Sequence, residues 1–140
     1  MTRSYWLLKT EPQSYPFHQL VQEKKTNWNG VRNFQARNFL KQMERGDLAL
    51  IYHSGNEKAV MGTSQVIREA YPDLDPKKPG DWVQIDLKPI ESFSTPVQLA
   101  VIKSNPHLNG LLLIKQSRLS VMPVDPTCFQ ILVDLGKVKP

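Results

Sequence analysis

The segment that decides the fold reads Asp47-Leu-Ala-Leu-Ile-Tyr-His53, then Ser54-Gly-Asn-Glu-Lys58, and continues from Ala59 to Arg68. Its first part is the clearest strand of the chain, because it is a short apolar run bounded by a glycine-containing loop. Its last part is rich in β-branched residues, contains Gly62 and reads as a returning strand. Together the three parts predict a β-hairpin.

Further elements are predicted on both sides of this hairpin. Tyr5-Trp-Leu-Leu-Lys9 is a compact apolar run typical of a central strand, and 82–88 alternates apolar and polar residues as a half-buried strand does. Apolar spacing and end signals predict helices near 17–21, over 34–43, over 97–103 and from Asp125 to about 135, with an extended segment over 119–124 and a proline-rich loop over 71–80.

This element order indicates an α+β domain with a curved or barrel-like sheet. Parallel βαβ winding is less favoured, because the central strands follow one another through loops. The chain has 140 residues and no linker or repeat, so we expect one domain over 1–140.

Composition limits the function classes. The fractions of apolar (40%) and charged (22%) residues are those of a globular protein in solution, and no apolar run approaches the roughly 18 residues that span a bilayer. Cys128 is the single cysteine, which excludes an internal disulfide and a cysteine-cluster zinc site. We therefore expect an intracellular protein, cytoplasmic or, in a eukaryote, nuclear, with no membrane partner.

The charge and the glycine pattern say more about partners than about catalysis. A net charge of +5 favours nucleic acid over an acidic partner, although the basic residues are dispersed. Glycine never occurs as G-x-G, so the sequence has no phosphate-cradling loop, and no His/Cys/Asp/Glu spacing indicates a metal. We expect no cofactor, and no feature indicates an oligomeric state.

The segment Trp28-Asn-Gly-Val-Arg-Asn-Phe-Gln-Ala-Arg-Asn-Phe39 is the most informative for function. It places an indole, two arginines, four amides and an Asn-Gly turn within a dozen residues. A core element would have to satisfy every one of these polar groups, at a cost in free energy. A site for a flat, polar, anionic ligand would use them, because the indole stacks, the amides donate and accept, and the arginines bind phosphate. Nucleobases and nucleotides fit this description best.

Five segments in order resemble the signature blocks of the EVE domain family. They cover nearly the whole chain and are 5–12 (YWLLKTEP), 28–38 (WNGVRNFQARN), 46–54 (GDLALIYHS), 68–73 (REAYPD) and 118–124 (RLSVMPV). The resemblance implies a PUA-like fold, in which a curved mixed sheet closes towards a barrel with short helices packed outside, similar in architecture to YTH domains. It also implies recognition of a modified base, most often a modified cytosine in DNA.

Twelve residues are candidates for such a site. The Lys9-Thr10 pair matches a family position that approaches the base edge, and in the family the block that begins at Arg118 closes over the cleft. Asn29 and Asn33 are suited to a Watson–Crick edge, because an amide donates and accepts in one plane. Arg32 and Arg37 lie on different helical faces, so we expect one to contact phosphate and the other to brace the loop through a carboxylate. The predicted nucleobase-binding residues are Trp28, Lys9, Thr10, Asn29, Asn33, Tyr52, His53, Ser54 and Ser120, and the predicted phosphate-binding residues are Arg32, Arg37 and Arg118.

Each of these candidates has an ordinary structural alternative. Trp28 can fill a core, as most tryptophans do, and the arginines can lie on a solvated surface or pair with acids. Trp6 is expected in the core, and for Trp82 the two interpretations are even.

We interpret the chain as a non-enzymatic reader of a modified nucleobase, extruded from its strand and stacked on Trp28. One rival is an enzyme acting on a nucleoside or RNA, with His53 or Lys9 as general acid or base. Another is a protein-interaction module with a vestigial cleft. Because the sequence contains no nuclease or motor signature, we expect any effector to be a separate protein.

Overall fold

The computed structural model describes residues 3–75 and 77–137. Six strands form one sheet, and short helices pack around it. The strands are β1 (Tyr5–Thr10), β2 (Thr26–Trp28), β3 (Leu48–His53), β4 (Ala59–Pro72), β5 (Val83–Gln98) and β6 (Val121–Pro123). The helices are α1 (Phe17–Glu23), α2 (Phe34–Gln42), α3 (Leu99–Ser104), a 3₁₀ turn (Pro106–Leu108), α4 (Leu112–Lys115) and α5 (Pro126–Gly136).

The hairpin predicted from the sequence forms the middle of the sheet. The strand order is β2-β5-β4-β3-β1-β6, and β3 pairs antiparallel with β4, which pairs antiparallel with β5. The register shifts once between β3 and β4 and four times between β4 and β5. Such irregularities bend strands and increase their twist, so the sheet curls into a half-barrel. The predicted α+β, PUA-like architecture is confirmed.

One strand pair departs from the expectation that parallel winding is less favoured. β1 pairs parallel with β3, from Tyr5 beside Leu48 to Thr10 beside His53, and antiparallel with β6 on its other side. A parallel pair needs a long crossover connection, which here consists of α1, β2 and α2. The sheet is therefore mixed, as the family resemblance implies.

The predicted helices are confirmed with shifted boundaries. α3 begins only at Leu99, because β5 extends to Gln98, and α5 runs from Pro126 to Gly136. β4 continues to Pro72 into the expected loop of 71–80, of which Pro76 lies outside the described residues. In the described part of the chain, no helix is long and apolar enough to cross a membrane.

Gly62 allows α1 to pack closely on the sheet. A Cβ atom there would lie 2.3 Å from the carbonyl oxygen of Glu91 in β5 and 2.6 Å from the ring of Phe17, the first residue of α1. Both are well inside van der Waals contact, so a side chain would push β5 or α1 away from β4. The buried Phe17 and Leu20 of α1 join the core, and the end of α1 is thereby fixed beside β1 and β2.

Candidate functional site

An open cleft of about 520 Å³ lies where β1 ends, α1 ends and β2 begins. We call it the Trp28 cleft. Six predicted site residues line it, namely Lys9, Thr10, Trp28, Asn29, Arg32 and Ser120. Seven further residues complete the lining: Ser14, Tyr15, Glu23, Thr26, Asn27, Gly30 and Val31. The fold therefore gathers half of the predicted site residues into one cavity, from three separate parts of the chain.

Trp28 forms the apolar wall of this cleft and is also part of the core. It ends the short edge strand β2, opposite Ile85 of β5, and only 7% of its surface is exposed. The ring of Tyr15 meets it edge to face, at 6.1 Å between centroids and 87° between planes. This geometry is favoured by the quadrupoles of the two rings. Trp28 therefore belongs to the core and also lines the cleft, and its contact with a base stays a prediction.

The end of β1 contributes two polar side chains, Lys9 and Thr10, whose positions are fixed by hydrogen bonds within the protein. Lys9 Nζ donates to the carbonyl oxygen of Ser117 at 2.6 Å and lies 5.8 Å from the centroid of the Tyr52 ring. Burial lowers the pKa of Lys9, because a half-buried ammonium loses hydration. Thr10 Oγ1 donates to the carbonyl oxygen of Tyr15 at 2.8 Å, which ties β1 to the loop before α1. Both side chains line the cleft with their conformations restrained.

Tyr15 and Glu23 add a carboxylate to the cleft that the sequence did not reveal. The Tyr15 hydroxyl donates to Glu23 Oε1 at 2.6 Å, and Gln19 Nε2 donates to Glu23 Oε2 at 3.1 Å. Burial, and then the Glu23 carboxylate, raise the pKa of Tyr15 to about 12, so the phenol stays protonated at neutral pH. The hydrogen bond from Tyr15 lowers the pKa of Glu23, which is therefore an anionic acceptor. Tyr15 and Glu23 are neighbours because α1 lies between them in the chain and brings its last residue back to Tyr15.

Arg32 is the arginine that braces the loop. Its Nη1 donates to Asp73 Oδ2 at 2.9 Å, and the same carboxylate oxygen accepts from the backbone N–H of Gly30 at 2.9 Å. Gly30 has φ +83°, a conformation that glycine adopts without strain. The hydrogen bond from Arg32 holds the pKa of Asp73 below its usual range. Asp73 therefore fixes the segment that follows Trp28.

We expect Asp73→Asn to lower the free energy of unfolding at neutral pH by about 1 kcal/mol, because the amide keeps the shape but loses the charge. The pKa of Asp73 is lower in the folded than in the unfolded protein, so this contribution is complete above the unfolded value near 4 and is lost as pH falls through the folded value. Urea unfolding of both proteins at a series of pH values measures this contribution to the free energy of unfolding. The exposed Asp134→Asn is the matched control, and a difference between wild type and Asp73→Asn that persists at low pH would contradict the assignment.

Several predicted site residues lie outside the Trp28 cleft. Asn33 caps α2, since its Oδ1 accepts from the backbone N–H of Ala36 at 2.9 Å. Tyr52 and His53 are both buried and are each only 4% exposed. Ser54 faces another depression of the surface, beyond the end of β1, and its Oγ donates to the carbonyl oxygen of Thr10 at 3.3 Å. The structure therefore does not bring these four side chains together with Trp28.

His53 is held on both sides of its ring. Nε2 accepts from the backbone N–H of Phe17 at 2.9 Å, so Nδ1 carries the proton and donates to Glu57 Oε1, also at 2.9 Å. His53 thereby holds the first residue of α1 against the end of β3. No cluster of three or more His, Cys, Asp and Glu side chains that could hold a metal occurs among residues 3–75 and 77–137.

Arg118 lies in a second depression next to the Trp28 cleft. This groove, which we call the Arg118 groove, runs between the start of α2 and the turn after α4, and its polar residues are Asn33, Gln35, Lys115, Gln116, Ser117 and Arg118. It contains two cationic side chains and, among the described lining residues, no acid. The bond from Lys9 to Ser117 connects it to the cleft. Arg37, by contrast, lies over the rings of Phe34 and Trp82.

The half-barrel sheet and the cleft at its edge define a PUA-like domain. ASCH from Zymomonas mobilis has the same fold at only 13% identity, with a TM-score of 0.59 over 96% of both chains. Residues 4–135 match the EVE domain, and the chain belongs to the EVE domain family. The resemblance noted in the sequence is confirmed.

Three comparisons, two of them with the same human protein, show how far the likeness extends. Human thymocyte nuclear protein 1 is 31% identical over an alignment 170 positions long, which covers 98% of this chain and 76% of the human protein. A crystal structure from Agrobacterium tumefaciens superposes with a TM-score of 0.91 at 32% identity, over 96% of this chain and 94% of the other. The structure of the human THYN1 protein, solved in complex with DNA that contains 5-methylcytosine, superposes with a TM-score of 0.88 at 30% identity. The superposition covers 98% of this chain and 99% of the human one.

Proposed function

We propose that this protein binds DNA that contains a modified cytosine, without catalysis, and holds the modified base in the Trp28 cleft. One observation carries the proposal: the same cleft combines an indole wall with hydrogen-bond donors and a carboxylate acceptor, which are the groups that bind a flat heterocycle. Its volume of about 520 Å³ is within the range of roughly 300–1,000 Å³ usual for small-ligand sites. The complex of the human relative with 5-methylcytosine DNA supports DNA as the partner.

The polar groups of the cleft match the hydrogen-bonding edge of cytosine. The base offers an exocyclic amine as donor and two acceptors, at its ring nitrogen and carbonyl oxygen. A carboxylate is a suitable partner for the amine, and Glu23 supplies one. Lys9 and Asn29 supply donors for the acceptor positions. The methyl group of 5-methylcytosine requires apolar surface, which Trp28 and Val31 provide.

A base inside a duplex cannot reach such a cleft, so the proposal includes extrusion of the nucleotide from its strand. Unstacking and unpairing cost a few kcal/mol, and the cost is smallest in single-stranded DNA. Stacking on Trp28 and the hydrogen bonds of the cleft offset this cost. Phosphates of the extruded strand would lie along the Arg118 groove, whose charge is positive and whose position is fixed by the Lys9–Ser117 bond.

Binding of short labelled oligonucleotides tests the proposal. The set carries cytosine, 5-methylcytosine, 5-hydroxymethylcytosine or N6-methyladenine at one central position, as single and double strands and as the RNA equivalents. We expect the tightest binding for a modified cytosine in DNA, and tighter binding to single strands than to duplexes. Equal affinity for every base, decreasing steeply with salt, would reduce the activity to backbone electrostatics and overturn the proposal.

Arg118→Ala is expected to weaken binding to every oligonucleotide by a similar factor and to leave the preference for the modified base unchanged. Each lost phosphate contact makes the slope of log affinity against log salt shallower by about 0.7 to 0.9. Titrations at several salt concentrations measure this slope. Lys103→Ala removes an exposed cation from α3, away from the groove, and is the control. An unchanged slope for Arg118→Ala would show that no phosphate contacts this side chain.

A further inference from the structure

Beside the Trp28 cleft, two aromatic rings and two arginines form a second surface feature. Phe34, the first residue of α2, stacks on Trp82, just before β5, at 5.3 Å between centroids and 19° between planes. The guanidinium of Arg37 lies 5.1 Å from the centroid of Phe34 and 5.8 Å from that of Trp82, and that of Arg32 lies 5.5 Å from the centroid of Trp82. We call these four residues the Phe34 cluster.

Core packing does not account for the Phe34 cluster. The side chain of Phe34 is 67% exposed, although a phenylalanine is among the residues most often buried. A ring covered on both faces could not be exposed to this extent, so one face of the stack is open to solvent. Gly80 helps to place the other ring, because a Cβ atom there would lie 2.6 Å from Trp82 Nε1. The backbone at Gly80 therefore packs directly against the Trp82 ring and helps to fix the stack.

The charge around the Phe34 cluster is positive. Two acids lie nearby, and each has a cationic partner: Asp73 pairs with Arg32 at 2.9 Å and Asp81 with Lys41 at 2.5 Å. Arg37 donates only to the neutral Oδ1 of Asn38, at 3.0 and 3.2 Å, and among the described residues it forms no salt bridge. An aromatic face bordered by a guanidinium that makes no salt bridge among the described residues is complementary to a polyanion that carries flat bases.

The Phe34 cluster is continuous with the Trp28 cleft. Arg32 lines the cleft with one side of its chain and lies against the Trp82 ring with its guanidinium. Its bond to Asp73, shared with Gly30, fixes this position. The Phe34 cluster therefore begins at the edge of the Trp28 cleft.

We propose that the Phe34 cluster is a second stacking site, which takes the unpaired base next to the one held in the Trp28 cleft. The inference rests on the proposed function, because it assumes that a strand enters the cleft. The neighbouring base stacks on the open face of Phe34, and Arg37 contacts the phosphate between the two nucleotides or the edge of the base. Stacking of this kind accepts any base, so it adds affinity for a strand and no preference for its sequence.

The test compares Phe34→Ala with wild type on two single strands, each with one central 5-methylcytosine. The first strand is intact, and the second has abasic sites on both sides of the modified base. We expect Phe34→Ala to bind the intact strand at least about fivefold more weakly, since stacking one base changes affinity by about five- to 150-fold. On the abasic strand the two proteins should bind equally, and Phe34→Tyr, which keeps a ring, should resemble wild type on both strands. Phe34 is exposed, so these variants should fold, which a thermal melt checks.

Two further measurements separate the inference from the function on which it rests. Val101→Ala removes another exposed apolar side chain, on α3, and should change neither affinity. Competition by free 5-methyl-2′-deoxycytidine, which fills only the Trp28 cleft, should be equal for wild type and Phe34→Ala. If Phe34→Ala binds the intact strand as wild type does, the cluster serves another partner, such as a protein, and the inference is overturned. If wild type binds cytosine and 5-methylcytosine strands equally, the proposed function fails, while the effect of the abasic sites still decides the stacking site.

Discussion

Trp28→Ala is expected to remove the preference for a modified base and to lower the free energy of unfolding by about 3–5 kcal/mol. The indole is 7% exposed, supports the edge of Tyr15 and forms the wall of the cleft, so its loss leaves a cavity next to the binding site. Binding and denaturant unfolding, measured on the same preparation, give the two effects. Because the alanine variant combines them, further substitutions are needed to separate stacking from folding.

Trp28→Leu and Trp28→Phe make this separation. Leucine restores much of the apolar volume without an aromatic face, so the protein should fold and bind the modified strand between about five and 150 times more weakly. Phenylalanine keeps a smaller face and should retain most of the preference. Titration of strands with and without 5-methylcytosine measures both. A folded Trp28→Leu variant that discriminates as well as wild type would show that the base is not held against this indole.

The parts of the fold that the sequence predicts are those that depend on neighbouring residues. Three elements show this: the β3–β4 hairpin, the strand β5 with its alternating residues, and the helix α5 with its start signal at Asp125. Each was indicated by residues close together in the sequence, and each is present. β2 was not predicted, because three residues are too few to show an alternation. The parallel pairing of β1 with β3 was not predicted either, because it depends on how α1 and α2 cross the sheet.

The candidate site, too, was predicted only in part from the sequence. The aromatic and amide content of the segment after Trp28 indicated a polar ligand, and Trp28, Asn29 and Arg32 do line one cleft. Asn33 has the same side chain as Asn29, but it occupies the N-cap of α2, a position that asparagine favours for its own hydrogen bond. Residue type alone cannot distinguish a capping amide from a binding amide.

His53 shows a second reason why the sequence predicts the site incompletely. A histidine at a strand end next to a loop is a reasonable binding residue, since such positions are often open. Here the start of α1 covers the strand end, and the backbone N–H of Phe17 donates to the His53 ring. Tyr15 and Glu23 lie eight residues apart and meet only because α1 intervenes. Contacts made by a helix against a loop are set by tertiary packing, which no local pattern records.

Asp47→Ala is expected to lower the free energy of unfolding by about 3–4 kcal/mol while leaving the affinity of the folded protein for DNA unchanged. The carboxylate is 4% exposed and accepts three hydrogen bonds, from the backbone N–H of Ser4 at 3.1 Å, the indole N–H of Trp6 at 3.0 Å and the backbone N–H of Glu44 at 2.9 Å. Alanine would leave these donors without an acceptor, and the indole N–H of Trp6 is buried. Denaturant unfolding measures the loss, and Asp134→Ala, on the exposed face of α5, is the control.

The position of Asp47 is what makes this variant informative about the site. It secures the first residues of the parallel β1–β3 pair, whereas Lys9 and Thr10 lie at the other end of the same pair, beside the cleft. If the sheet behaves as one rigid unit, the variant loses stability but keeps its preference for the modified base wherever it remains folded. A change in stability below about 0.5 kcal/mol would contradict the role of the carboxylate, since surface substitutions have effects of that size. A loss of selectivity in the folded variant would show instead that strain at one end of β1 reaches the polar groups that face the base.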